Sequence, residues 1–144
     1  MKNNIAQQRI WIVGASQGIG LELVKIWLKQ GHQILASARQ AQQSTALAEL
    51  KQQYGEQLQC LNVDVSDAQD CAIQAQRAWA AFAGLDMWFY NVGAYQPMTS
   101  EEWDWSAFVQ MNQSNYLGAV ALMLPLQKLF KAQGHGRWIW NASL

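Results

Sequence analysis

Residues 10–20 read Ile10-Trp11-Ile12-Val13-Gly14-Ala15-Ser16-Gln17-Gly18-Ile19-Gly20. A short apolar run ends at Gly14, two further glycines follow at 18 and 20, and an amphipathic segment, Leu21 to Lys29, comes directly after. That order predicts a strand, a tight turn and a helix. It is the arrangement that holds a dinucleotide pyrophosphate at a helix N-terminus. In such a loop Gly14 turns the chain off the strand, Gly18 lets backbone approach phosphate, and Gly20 permits close helix–sheet packing.

Outward from this loop, strand-like and helical runs alternate. Arg9–Val13 reads as a strand and Ile19–Gln30 as a helix closed by Gly31. Gln33–Ala38 is a second strand, and Gln42–Tyr54 a helix stopped by Gly55. Leu58–Val63 is a third strand. Ser66-Asp67 caps a helix running to Phe82, with Gly84 beyond it. Leu85–Tyr90 is continuously apolar, as a strand covered on both faces requires. Thr99 or Ser100, followed by Glu101-Glu102, begins a helical pattern that reaches Ala132 with an interruption near Asn112. Pro125 is expected to kink that helix or shift its register. Arg137–Asn141 is a fifth strand. The rhythm predicts βαβ units, a parallel sheet and right-handed crossovers within a single domain, residues 1–144.

The chain is 51% hydrophobic and 14% charged with zero formal net charge, so neither a nucleic-acid nor an acidic-membrane partner is indicated. Eight Trp in 144 residues point to core or interface area. Cys60 and Cys71 have neither metal-ligand nor Cys-x-x-Cys spacing, so they read as free buried thiols of a reducing compartment, and no metal site is expected. The N-terminus lacks a signal-like apolar stretch, and no run approaches the ~20 residues a membrane helix needs. A soluble, cytoplasmic protein is expected.

Candidate ligand residues fall at strand ends. A carboxylate at the end of the second strand would bind the ribose hydroxyls of NAD, but Ala38 and Arg39 stand there. A 2′-phosphate could pair with the Arg39 guanidinium, which favours NADP over NAD. Asp64 could accept the adenine amino group, or cap the following helix. Asn91-Val92-Gly93 ends the fourth strand, where a glycine lets backbone pass close to a cofactor. Asn112 lies mid-helix and Ser143 just beyond the fifth strand.

These stations together resemble the short-chain dehydrogenase/reductase family. The matching residues are Gly14-Ala-Ser-Gln-Gly-Ile-Gly20, Asn62-Val-Asp-Val65, Asn91-Val-Gly93, Asn112, and Gly136-Arg-Trp-Ile-Trp-Asn-Ala-Ser143. The resemblance implies an α/β, Rossmann-type doubly wound parallel sheet of about five strands in the order 3-2-1-4-5. It also implies hydride transfer between NADP(H) and a small-molecule alcohol or carbonyl substrate. Carried over by position, Gly14, Ser16, Gln17, Gly18, Ile19 and Gly20 form the cofactor turn. Arg39 is the NADP-preferring residue, Asp64 and Val65 the adenine contacts, and Asn91 and Gly93 the sheet-end motif. Asn112 resembles the helix asparagine that holds a water for proton relay, and Ser143 the serine that hydrogen-bonds the substrate oxygen.

Departures from the family pattern are Val13 for a threonine, Gln17 where a second basic residue often stands, and Val92 for an alanine. The family's general-acid tyrosine, about a dozen residues past the serine, and the lysine four further on find no counterpart before Leu144. Tyr54, Tyr90, Tyr95 and Tyr116 all precede Ser143, and none has Lys four positions on. Since a placed proton donor contributes ~10²–10⁴ in rate, these 144 residues are expected to bind cofactor and to turn over poorly. The fifth strand is expected to be a sheet edge, with Trp138 and Trp140 on one uncovered face. A homo-oligomer is therefore expected. Two other readings are a non-catalytic dinucleotide-binding module and an S-adenosylmethionine-dependent methyltransferase, which shares a glycine loop after its first strand.

Overall fold

A computed structural model describes residues 6–142. Five strands, β1 (Arg9–Val13), β2 (Gln33–Ala38), β3 (Leu58–Asn62), β4 (Met87–Tyr90) and β5 (Arg137–Trp140), form one sheet in the order β3-β2-β1-β4-β5. All four pairings are parallel, for example Ile12 with Ala36 and with Phe89. The expected topology is found.

The continuous apolar runs are explained by helices on both faces. Alternate residues of each strand serve separate cores. Ile10, Ile12, Ile34, Ala36 and Met87 pack with Val24 and Leu28 of α1 (Gly18–Lys29) and Leu47 of α2 (Thr45–Tyr54). Trp11, Val13, Leu35, Trp88 and Tyr90 pack with Cys71, Ala75 and Ala78 of α3 (Ala68–Ala81) and with Ala119, Leu122, Leu126 and Phe130 of α5 (Gly118–Gln133). Trp11 and Trp88 are fully buried, whereas Trp103 and Trp105 are exposed. The tryptophans thus divide between core and surface.

Two helix starts lie several residues from expectation, other element ends shift by one or two residues, and the expected interruption near Asn112 is found. The helix expected over Gln42–Tyr54 is broken at Ser44, whose extended backbone lets its hydroxyl cap the Leu47 N–H; a short 3₁₀ turn, Ala41–Gln43, precedes it. The helix expected from Thr99 or Ser100 begins later, as α4 (Trp105–Asn112). Thr99 makes only a local turn to Glu102, while the Asp104 carboxylate accepts from the Ser106 and Ala107 N–H groups at 2.9 and 3.1 Å. An aspartate in extended backbone is the stronger N-cap. The interruption near Asn112 is a π-helical stretch, Gln113–Leu117, and α5 then continues through Pro125. The register change sits upstream of the proline.

Trp138 and Trp140 are also placed differently. They are half-buried under α5, with Trp138 edge-on to Trp88 and Phe130, and Trp140 stacked on Tyr116 at 5.8 Å. Alternation along β5 turns both rings to the face that α5 covers. What remains open at this edge is the β5 backbone, which pairs only with β4 among the described residues.

Candidate cofactor site

The strand order reverses between β1 and β4, and the glycine loop lies at that switch point. The Gly14 and Ala15 N–H groups both donate to the Ser37 carbonyl, at 2.8 and 3.0 Å, which pins the loop to β2. Gly14 has φ +90°, and a Cβ there would lie 2.7 Å from the Asn91 carbonyl oxygen. A Cβ on Gly20 would lie 1.9 Å from the Gly14 oxygen. The first turn of α1 therefore seats directly on the end of β1. That turn has no acidic residue, and the Gln17 side chain makes no cap hydrogen bond. Among the described residues no side chain accepts from the first backbone N–H groups of this turn, which a helix leaves without intrahelical partners. Ser16 is half-buried, while Gln17, Gly18 and Ile19 are exposed around this turn.

On the β2 side Arg39 is exposed and forms no ion pair among the described residues. Asp64 follows β3. Its Oδ1 accepts from the Ser66 N–H and hydroxyl at 2.9 and 2.6 Å, closing a local turn. Those bonds, helped by the Arg39 charge, hold its carboxyl below the usual carboxylate range. The helix cap is Asp67, which accepts from the Gln69 and Asp70 N–H groups. Val65 is buried.

On the β4 side the Asn91 amide donates to the Gly14 carbonyl at 3.2 Å and its oxygen accepts from the Asn141 amide at 2.8 Å. One side chain thus links the ends of β1, β4 and β5. A Cβ on Gly93 would meet nothing within 4 Å, so the chain itself leaves that space open. Asn112 is exposed at the end of α4, and its side chain forms no hydrogen bond among the described residues. Ser143 lies outside the described residues.

The structure brings in a residue the sequence reading passed over. Asn115, within the π-helical stretch, accepts from the Ala94 N–H at 2.6 Å and donates to the Ala94 carbonyl at 2.8 Å. It is thus bonded to the residue that follows the sheet-end motif. The available signal was Gly118, three residues on: a glycine inside a helical pattern marks a close approach. A Cβ there would fall 2.7 Å from the Val65 side chain and 2.9 Å from the Tyr90 hydroxyl. Tyr90 is fully buried, and burial pushes its phenol well above the ordinary value, so it stays protonated at neutral pH.

No helix among the described residues is long and apolar enough to cross a membrane. Among relatives, 140 aligned residues are 28% identical to the chloroplastic chlorophyll(ide) b reductase NOL of Oryza sativa subsp. japonica, covering 92% of this chain and 40% of that protein. A 3beta-hydroxysteroid dehydrogenase 2 of Eggerthella lenta is 27% identical over 145 residues, covering 96% of this chain and 54% of that one. The chain thus spans about half or less of the length of these relatives. The solved structure of ElxO with NADP bound superposes with a TM-score of 0.83 at 21% identity, covering 92% of this chain and 54% of that one, which shows the shared fold. The family model described as short chain dehydrogenase matches residues 8–144, which sets the methyltransferase alternative aside. The chain belongs to the short chain dehydrogenase family.

Proposed function

We propose that this chain forms the NADP-binding part of an oxidoreductase that moves hydride between the cofactor and a small-molecule alcohol or carbonyl compound. The observation that carries the reading is the first turn of α1: uncapped, free of acids and seated at the switch point by the Gly14–Gly20 contact. A pyrophosphate fits there because N–H groups and the positive helix end face it together. Arg39 supports the 2′-phosphate, since the guanidinium offers a charged fork and forms no salt bridge among the described residues. Asp64 keeps Oδ2 without a hydrogen bond among the described residues, available to the adenine amino group. Gly18 and Gly93, with open space where a Cβ would be, admit the ligand's close approach.

When bound, the nicotinamide supplies the hydride. This chain's residues bind and orient it. The asparagine that steadies the proton-relay water is assigned to Asn115 instead of Asn112, because Asn115 faces the sheet-end loop. Ser143 is assigned to the substrate oxygen on the family resemblance. The cytoplasmic placement rests on the unpaired Cys60 and Cys71. A homo-oligomer is supported by an uncharged stretch, residues 105–127, that leaves Trp105, Val109 and Tyr116 exposed.

Titration of tryptophan fluorescence with NADPH and NADH tests the cofactor reading. A charge-assisted contact to the 2′-phosphate is worth ~1.5–3 kcal/mol, so NADPH should bind on the order of tenfold to a hundredfold more tightly than NADH. Arg39→Ala should erase that difference and leave NADH affinity unchanged. Equal affinities in the wild-type chain would overturn the NADP preference, and no binding of either would overturn the cofactor site.

A further inference from the structure

We propose that the Tyr90 hydroxyl is a positioning group for the nicotinamide half of the site, acting through the π-helical stretch on Asn115 and, through Asn115, on the backbone at Ala94. The inference rests on the cofactor reading above.

Tyr90 is the last residue of β4 and is fully buried, its ring at 5.7 Å from Trp88 and 6.1 Å from Trp140. Its hydroxyl donates to the Ser114 carbonyl. Ser114 belongs to the stretch Gln113–Leu117, where a helix carries one extra residue in a turn. That extra residue rotates the side chains beyond it by about 100° relative to an uninterrupted helix. A widened turn is costly to hold in isolation, and here the surroundings fix it from several sides. Tyr90 takes the Ser114 carbonyl, and the Gln113 amide donates to the Val65 carbonyl at 3.4 Å. Tyr116 stacks on Trp140, and Gly118 supplies the gap that the Tyr90 hydroxyl occupies. The outcome is the placement of Asn115, whose amide meets both backbone groups of Ala94.

Position decides which half of the ligand this affects. Arg39 and Asp64 follow β2 and β3 on one side of the glycine loop, and Gly93, Ala94 and Asn115 lie by β4 on the other. A dinucleotide across the switch point places its adenosine over the first group and its second half over the other. The Tyr90 hook therefore bears on the second half alone.

The test compares NADPH with adenosine 2′,5′-bisphosphate, a probe for the adenosine half, on the whole chain. Tyr90→Phe keeps the ring and removes the donor. It should weaken NADPH binding about tenfold and leave the bisphosphate unchanged within about twofold. Asn115→Ala should give the same split, and the double variant should lose no more than the larger single loss, because both lie on one route. Amide exchange at Ala94 should quicken in Tyr90→Phe while the β1 amides stay protected. If Tyr90→Phe fails to fold, Asn115→Ala carries the comparison: the split supports the inference, and an even loss overturns it. Unchanged NADPH binding in Tyr90→Phe, equal loss on both probes, or additive losses in the double variant would each overturn the inference alone. A wild-type chain that binds neither probe would overturn the cofactor reading and this inference together.

Discussion

Two glycines at the sheet's C-terminal edge separate what folding needs from what a ligand needs. Gly20 has no room for a methyl group, with the Gly14 carbonyl oxygen 1.9 Å from its ideal Cβ. The obstacle is backbone, which cannot rotate away. Gly20→Ala should cost about 3 kcal/mol, read as a lower urea midpoint. Gly93 has open space and no left-handed backbone. Gly93→Ala should stay within about 0.5 kcal/mol of wild type and still weaken NADPH binding. Unchanged NADPH affinity in Gly93→Ala would show that no ligand passes there. At this scale the sequence was legible where a residue's chemistry is local. The glycine loop could be read because φ and steric clearance are properties of single positions. Asn115 was signalled only indirectly, by Gly118, because what distinguishes it from Asn112 is its pairing with both backbone groups of Ala94. That is a tertiary contact, which spacing counted along the chain does not contain.

At the scale of elements, α1 ends and β2 begins around His32. The ring is buried, and its Nδ1 accepts from the Gln8 N–H at 3.1 Å. Burial lowers its pKa below the ordinary 6.5. The unfolded chain therefore takes up the proton first. Stability is full above about pH 6.5 and falls as pH drops from there toward the lowered folded value. Asp64 and Asp86, held below the ordinary carboxylate value, add their losses only at more acid pH. The urea midpoint should be lower at pH 5 than at pH 7.5, and His32→Asn, which keeps an acceptor, should flatten that difference. Identical midpoints in the wild-type chain would refute the assignment. Element identities were legible from apolar runs and glycine stops. The starts of α2 and α4 were not, because Ser44 and Asp104 compete with nearby cap candidates, and the choice depends on which residue the tertiary path leaves in extended backbone.

Across the whole molecule, parallel pairing followed from alternation, while the strand order was what the family resemblance implied. The surroundings of Trp138 and Trp140 did not follow, since they depend on α5 arriving from a distant part of the chain. The uncharged surface of residues 105–127 is the molecule-scale feature that bears on assembly. Sedimentation at tens of micromolar should show dimers or larger species, and Trp105→Glu with Phe108→Glu should shift them to monomer without loss of the urea midpoint. A monomeric wild-type chain would remove the homo-oligomer proposal.

The Ser37 carbonyl that receives both Gly14 and Ala15 gives the molecule a form of proofreading. Side chains in β2 alternate between two different cores, so a slip of one residue would exchange Ile34 and Ala36 with Leu35 and Ser37. The same slip would carry the Ser37 carbonyl away from the glycine loop. A misregistered sheet would therefore lose its ligand loop in the same step. Cofactor binding then reports on the alignment of the central strands as well as on the residues that touch the ligand.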